Sequence, residues 1–297
     1  MYQNGNLYVG ELSRGRAQGK GKYIWTNGET YEGEWYQGRK HGSGMWRGLN
    51  GDSYIGQWTN SFAYGFGVQV APNGDKYEGE WKYSMKHGKG TEQYHNGDIY
   101  IGNYREGLPN GFGKYIWADK GVFEGTFING QKQGPGKWYK QVVHSDPIRK
   151  TQKFLKYEYD GEYKDDKKSG HGVFKWPSGS VYQGGFKKDF RHGFGIMIWM
   201  DGTVYEGLWK KGVQQGQGKL RMADGTVKVG VFKDNILVDE HSSETSKLAL
   251  TILGSSDSAK KLTQLHERLL GGDYDALVKQ YYLEKLRQIK KRKCECC

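Results

Sequence analysis

Histidine, glutamate, lysine and cysteine are the side chains here that could move a proton, hold a metal or carry a covalent group. His41, His87 and His192 each precede a glycine and recur in register, while His95, His144, His171, His241 and His266 are scattered. Glu34, Glu80 and Glu206 also recur once per repeat. General acids and bases must converge at a concave site. Side chains that return at a fixed interval read instead as turn-formers and as solvated or cross-strand partners for Lys and Arg. Gly19-Lys20-Gly21 and Gly88-Lys89-Gly90 lack the strand–loop–helix context and the Gly-Lys-Ser/Thr ending of a phosphate loop. The chain contains no Ser-centred nucleophile elbow and no His-Glu-x-x-His. The expectation is no enzymatic activity, no cofactor and no metal.

The three cysteines, Cys294, Cys296 and Cys297, follow directly on Lys290, Lys291, Arg292 and Lys293. A basic run beside clustered thiols has the form of a two-signal membrane anchor, in which one acyl chain binds marginally and a second signal makes binding stable. The alternative is a solvated charged tail. The ending fits a prenylation box poorly, so S-acylation is the favoured modification. With no histidine nearby, zinc is disfavoured. The cysteines are therefore candidate lipidation sites, and the four basic residues candidate contacts for an anionic surface.

A period of 23 residues organises the rest. Tyr31, Gly33 and Trp35 are followed by Gly38, His41, Gly42 and Gly44, and the opening phrase returns at Tyr54, Tyr77, Tyr100, Tyr182 and Tyr205. Weaker copies begin at Tyr8, Phe123, Tyr159 and Lys228, and one step, from 123 to 159, is longer than the rest. Such periodicity means stacked units. Tyr, Gly and Trp at alternate positions share one strand face and the glutamates share the other. Glycine between two aromatics leaves a slot that a neighbouring aromatic can cover. Gly38 to Gly42 reads as a polar turn. Asn27-Gly28, Asn50-Gly51, Asn73-Gly74, Asn96-Gly97, Asp201-Gly202 and Asp224-Gly225 read as tight two-residue hairpins. Each unit is then one β-hairpin.

The phrase from Tyr31 to Gly44 resembles the MORN repeat (membrane occupation and recognition nexus), over roughly residues 8 to 233. His gives way to Gln18, Tyr64, Asn110, Gln133, Ser169 and Gln215, and the glycine of the Gly38 position to Ser61, Ser84, Asp166 and Asp189. The fold expected is an all-β repeat array, an elongated twisted antiparallel sheet with a short helical C-terminal tail. Repeats one to six occupy 1–137, a loop insertion 138–158, repeats seven to ten 159–238 (the last partial), a linker 239–258, and a helical, basic, cysteine-ending tail 259–297.

Glycine supplies 47 residues, aromatics 14% and mean hydropathy is −0.86, which suits a thin sheet wet on both sides rather than a thick aliphatic core. There is no apolar run of membrane-spanning length and no secretory signal at the start. A repeat body without cysteine fits a reducing cytoplasmic setting. The net charge of +12 favours acidic partner surfaces, but Lys and Arg are interspersed with acids, so no nucleic acid is expected. The resemblance implies a non-enzymatic scaffold for protein–protein contacts in a cytoskeletal assembly, a ciliary or flagellar axoneme complex such as the radial spoke. The alternative is a membrane–cytoskeleton tether held by the tail on anionic phospholipid. Trp35, Trp58, Trp81 and Trp209 are the candidate partner contacts, read as exposed strand aromatics. Self-association and a calmodulin-type partner for the basic tail remain open.

Overall fold

A computed structural model of the protein describes residues 5–146 and 151–240. The described chain is all β, with strands running from Leu7–Ser13 to Ile236–Glu240. It divides into two compact units, residues 5–192 with 197–200, and residues 193–196 with 201–240. The strand Phe190–Ile198 supplies residues to both. Within each unit, consecutive strands pair antiparallel, as when Thr30–Tyr36 meets Arg39–Arg47 and that strand meets Ser53–Thr59. Each repeat is one hairpin, as the period implies.

Glycine sets the registry. In the first unit Gly10 opposes Gly21, Gly21 opposes Gly33, Gly33 opposes Gly44 and Gly44 opposes Gly56. The row runs on through Gly67, Gly79, Gly90, Gly102 and Gly113 to Gly184, crossing the strands. In the second unit Gly207, Gly218 and Gly230 oppose one another in a row of their own. Each Tyr ring folds down onto the glycines. A Cβ on Gly67 would stand 2.5 Å from Cζ and 2.6 Å from Cε2 of Tyr54. The Tyr54 hydroxyl donates to the backbone oxygen of Gln57 at 3.0 Å, and Tyr31, Tyr77 and Tyr205 make the equivalent bond.

Just past the glycine pair the ladder slips. Gly33 pairs with Gly44 but Glu34 pairs with His41, so Gly42 and Ser43 form a bulge, Gly42 at φ +56°. The unpaired Ser43 N–H donates to Glu34 Oε1 at 3.0 Å. Lys20 with Glu11, Phe66 with Gln57 and Lys89 with Glu80 repeat this bond. The recurring glutamates at this position thus close the bulge.

Two expectations about turns exchange places. Gln37-Gly38, at φ 50° and 78°, is the tight two-residue turn, and His41 lies within the following strand. Asn27-Gly28 belongs to a five-residue loop, where Trp25 N–H donates to Glu29 O at 3.0 Å and Gly28 N–H to Trp25 O at 2.9 Å. Gly28 is at φ +91°, whereas Asn27 keeps ordinary φ and accepts the Glu29 N–H on its side-chain oxygen at 3.1 Å. Asn-Gly fits a tight turn locally, but here Asn acts through its side chain.

The turns also stitch successive hairpins. Ser61 N–H donates to Lys40 O at 2.9 Å, and Lys40 N–H returns a bond to Ser61 Oγ at 3.1 Å. Ser84 pairs likewise with Ala63, Asp166 with Lys132, Asp189 with Lys168, and Asn235 with Gln214. The residues that stand at the Gly38 position in other repeats each add a side-chain acceptor. That return offsets the strain of a non-glycine residue at positive φ.

The segment expected as a loop is largely strand. Gln131–Asp146 and Thr151–Lys164 form one long hairpin, paired from Gly134↔Tyr163 to Asp146↔Thr151. Val142 pairs with Leu155 and Val143 with Phe154, and these β-forming side chains carry the ladder outward. The linker at 239–258 beyond Glu240 and the tail at 259–297 lie outside the described residues.

Filling the slot should be the costliest small change. Gly67→Ala is expected to destabilise by about 1–3 kcal/mol through overpacking, and Tyr54→Phe by about 1 kcal/mol for the lost hydrogen bond. Phe123 already occupies this position without a hydroxyl and keeps its ring contacts. Thermal unfolding followed by circular dichroism checks the order.

Candidate interaction surfaces

In each unit one sheet face carries a zipper of rings. In the first unit Tyr31 meets Trp35 at 5.1 Å and 90°, and Trp58 of the next repeat at 5.3 Å and 84°. Tyr54 meets Trp58 and Trp81 at 4.9 and 5.2 Å, and Tyr77 meets Trp81 and Tyr104 at 5.1 and 5.0 Å. The pattern continues through Tyr100, Phe123, Tyr159 and Tyr182. In the second unit Tyr205 sits between Trp209 and Phe232, at 5.2 and 5.0 Å. Edge-to-face pairs at this spacing contribute about 0.5–1.5 kcal/mol each beyond area burial.

This corrects the expected contact residues. Trp35, Trp58, Trp81 and Trp209 are core, at 7%, 6%, 6% and 3% exposure. Their indole N–H groups donate to the carbonyls of Gly21, Gly44, Gly67 and Gly195 at 3.0–3.1 Å. With ring and donor both satisfied, they have little left to offer a partner. Nor is the sheet wet on both sides, since the zipper closes this face.

A row of cations borders the zipper. Lys40 Nζ lies 3.9 Å from the Trp58 ring centroid, Lys86 Nζ 5.1 Å from Tyr77, Lys132 Nζ 5.3 Å from Trp117 and Lys168 Nζ 5.6 Å from Tyr159. Each contributes a cation–π contact and shields ring area with its stem. Burial pushes the Lys40 ammonium down to about 8 and lowers Lys132. Lys86 is ion-paired with Glu92, and Lys168 with Asp189 at 3.4 Å. Sequence reasoning missed this row; its signal was a basic residue returning nine positions after the ring at Lys40, Lys86, Lys132, Lys168 and Arg191.

Buried carboxylates here are satisfied rather than poised. Glu92 accepts the hydroxyls of Tyr104 at 2.9 Å and Tyr94 at 3.2 Å. Asp98 accepts from Tyr115 at 2.7 Å, Ala118 N–H at 2.8 Å and Asn96 at 3.1 Å. On the loops, the His95 backbone N–H and ring Nδ1, each 2.8 Å from Asp75 Oδ1, hold that carboxyl at about 2. Among the described residues no group of three His, Cys, Asp or Glu side chains converges. Lys290, Lys291, Arg292, Lys293, Cys294, Cys296 and Cys297 lie outside the described residues.

Burial pushes the Tyr54 and Tyr100 phenols up to about 12. An unfolded tyrosine titrates near ~10, so the folded state favours the protonated form. That contribution is complete below ~10 and is lost as pH climbs through the folded value. Tyrosinate absorbance from these rings should therefore rise together with loss of β circular dichroism, between pH ~10 and ~12.

The MORN repeat family matches residues 8–30, 31–53, 54–76, 77–99, 100–122, 123–141, 159–181, 182–204 and 205–227. No curated protein matches the chain. Among solved structures, the SAS-4 (dCPAP) TCP domain of Drosophila melanogaster, in complex with a proline-rich motif of Ana2 (dSTIL), is 16% identical. The match covers 57% of this chain and 85% of that domain, at a TM-score of 0.32. Streptogramin B lyase is 12% identical over 72% of this chain and 76% of its own, at a TM-score of 0.15. Overlaps this low inform neither fold nor function. The family matches span most of the described sheet, and the chain belongs to the MORN repeat family, whose repeats are interaction modules and not catalytic ones.

Proposed function

We propose that the protein is a non-enzymatic scaffold that holds partner proteins against its repeats. The observation that carries this reading is the difference between the two sheet faces. The zipper face is filled by its own rings, whereas Ile55, Phe66, Ile101 and Phe112 on the other face are exposed. Glycine rows and turn stitches fix the spacing of that face, so a partner meets side chains already placed and loses less entropy on docking. The assembly we favour is cytoskeletal, an axonemal complex of a cilium or flagellum such as the radial spoke, by resemblance to free-standing MORN arrays.

A second reading rests on Lys290 to Lys293 beside Cys294, Cys296 and Cys297. An S-acylated, polybasic tail would tether the array to an anionic membrane while the sheet holds a cytoskeletal partner. Fractionation of ciliated cells expressing the tagged chain separates the two. The scaffold predicts retention in the detergent-insoluble axonemal fraction, unchanged when the three cysteines become serine. Release by non-ionic detergent, with the serine variant free in the cytosol, would replace it with the tether.

A further inference from the structure

The insertion in the repeat series builds a ribbon that leaves the sheet. In an ordinary repeat the ladder ends at a pair such as Ile24↔Thr30, and the loop at 25–29 closes it. The equivalent pair, Tyr139↔Glu158, is followed by a further run of pairs from Lys140↔Tyr157 to Asp146↔Thr151. The strands on either side stop short. Gly121 meets the outgoing strand at Lys140, Lys175 meets the return strand at Glu158, and neither pairing goes further out. Residues 141–146 therefore run about 20 Å past their neighbours at the usual rise of a strand. Among the described residues no strand lies along either outer edge of this extension. Apolar side chains stand on both faces, Val142 opposite Leu155 and Val143 opposite Phe154, the latter two 54% and 62% exposed.

A bare strand edge is a row of backbone N–H and C=O groups, and an extended chain is what presents the matching row. Elsewhere this protein blunts its edges. Strand Ile236–Glu240 is short, ends on Asp239 and Glu240, and slips register at Val231/Phe232. Strand Leu7–Ser13 slips between Gly10 and Leu12. The ribbon pairs without a slip over its whole length, from Gly134↔Tyr163 to Asp146↔Thr151. Its two edges differ in sequence. The return edge, 151–156, contains Lys153 and Lys156, and lysine is a common guard against strand addition. The outgoing edge, Gln141–Asp146, contains no lysine, arginine, proline or glycine and has two adjacent valines. A two-stranded ribbon is marginally stable alone in water, and a third strand supports it.

We propose that the outer edge of Gln141–Asp146 accepts one extended, acidic strand of a partner protein. Backbone hydrogen bonds hold that strand, and its β-branched side chains pack beside Val142 on one face and Val143 on the other. The acidic character follows from charge. Between 141 and 156 the sequence carries Arg149, Lys150, Lys153 and Lys156 against one carboxylate, Asp146. The nearby carboxylates at the base are already engaged, Asp119 by Lys140 and Glu158 by Lys137 and Lys156. A second copy fits worse, because two ribbons of like charge would meet edge to edge. The proposal rests on the scaffold reading and deepens it by naming a docking edge and the chemistry of its partner.

The test uses the full chain and a labelled, end-blocked peptide, Glu-Thr-Val-Val-Thr-Glu-Val-Glu, followed by fluorescence anisotropy and hydrogen exchange. The peptide should bind, and should slow exchange of the 141–146 amides by about tenfold or more. A counterpart with lysine for glutamate should bind about fivefold more weakly or worse. Two further peptides are N-methylated at the odd or the even amides. One should bind and the other not, because an edge strand bonds through every second amide. Replacing residues 140–157 by the loop sequence of residues 25–29 should remove the site and leave circular dichroism unchanged. Binding that survives this shortening, or equal loss with both N-methylated peptides, would overturn the proposal. So would slow exchange at 141–146 in the chain alone, which would mean the edge is already covered, or a wild-type dimer in sedimentation that the shortening dissociates. A chain that ignores the peptide yet stays with the detergent-insoluble axoneme would reject this edge and leave the scaffold standing; the converse would reject the scaffold alone.

Discussion

A row of paired glycines governs this structure. Wherever two strands meet in the first unit, from Gly10↔Gly21 to Gly172↔Gly184, the crossing point lacks side chains. The gap is then filled by an aromatic ring from the same strand. That choice sets the period, because each ring must meet both its own repeat's aromatic and the next one's. It also makes aliphatic residues unnecessary. The core is one ring thick, and its polar atoms are satisfied locally by a tyrosine hydroxyl on a backbone oxygen and an indole N–H on a glycine carbonyl. Glycine ordinarily weakens a strand; here its missing side chain is what allows the ring to lie flat.

From that constraint the two faces acquire opposite roles. Rings, cation stems and buried carboxylates complete one face from within the chain. The other face is free of those demands, so its residues vary from repeat to repeat. Glu32, Ile55, Glu78 and Ile101 occupy the same position in four successive hairpins. Variation on a fixed frame is how a repeat protein acquires partner specificity without changing its fold.

The hairpin repeat, the strand alternation and the segregation of glutamates from aromatics were legible in the sequence, because period 2 within strands and period 23 between them are both visible in the residue string. Which face would be buried was not. Trp35 and Trp58 have the amphipathic character of contact residues, and only the glycine row beneath them turns them into core. Turn identity failed similarly. Asn27-Gly28 satisfies a local rule, whereas Gln37-Gly38 and Asn60-Ser61 are selected by hydrogen bonds to the preceding hairpin, a non-local reward. Ser61, Ser84, Asp166 and Asp189 looked like losses of a glycine and turn out to be gains of an acceptor. The insertion read as a loop because Ser145, Asp146 and Pro147 suggest a turn, while Val142, Val143, Phe154 and Leu155 carry the strand signal.

The central claim is that the aromatic face is closed and the opposite face is open to partners. Residue-resolved solvent footprinting of the native chain tests it most directly, comparing oxidation of indoles and nitration of tyrosines with the unfolded chain. The account predicts strong protection of Trp35, Trp58 and Trp81 and of Tyr31, Tyr54, Tyr77 and Tyr100, with Tyr64 and Tyr83 modified at nearly the unfolded rate. Tryptophans reacting as fast as in the unfolded chain, with Tyr64 and Tyr83 protected, would invert the faces and contradict the account.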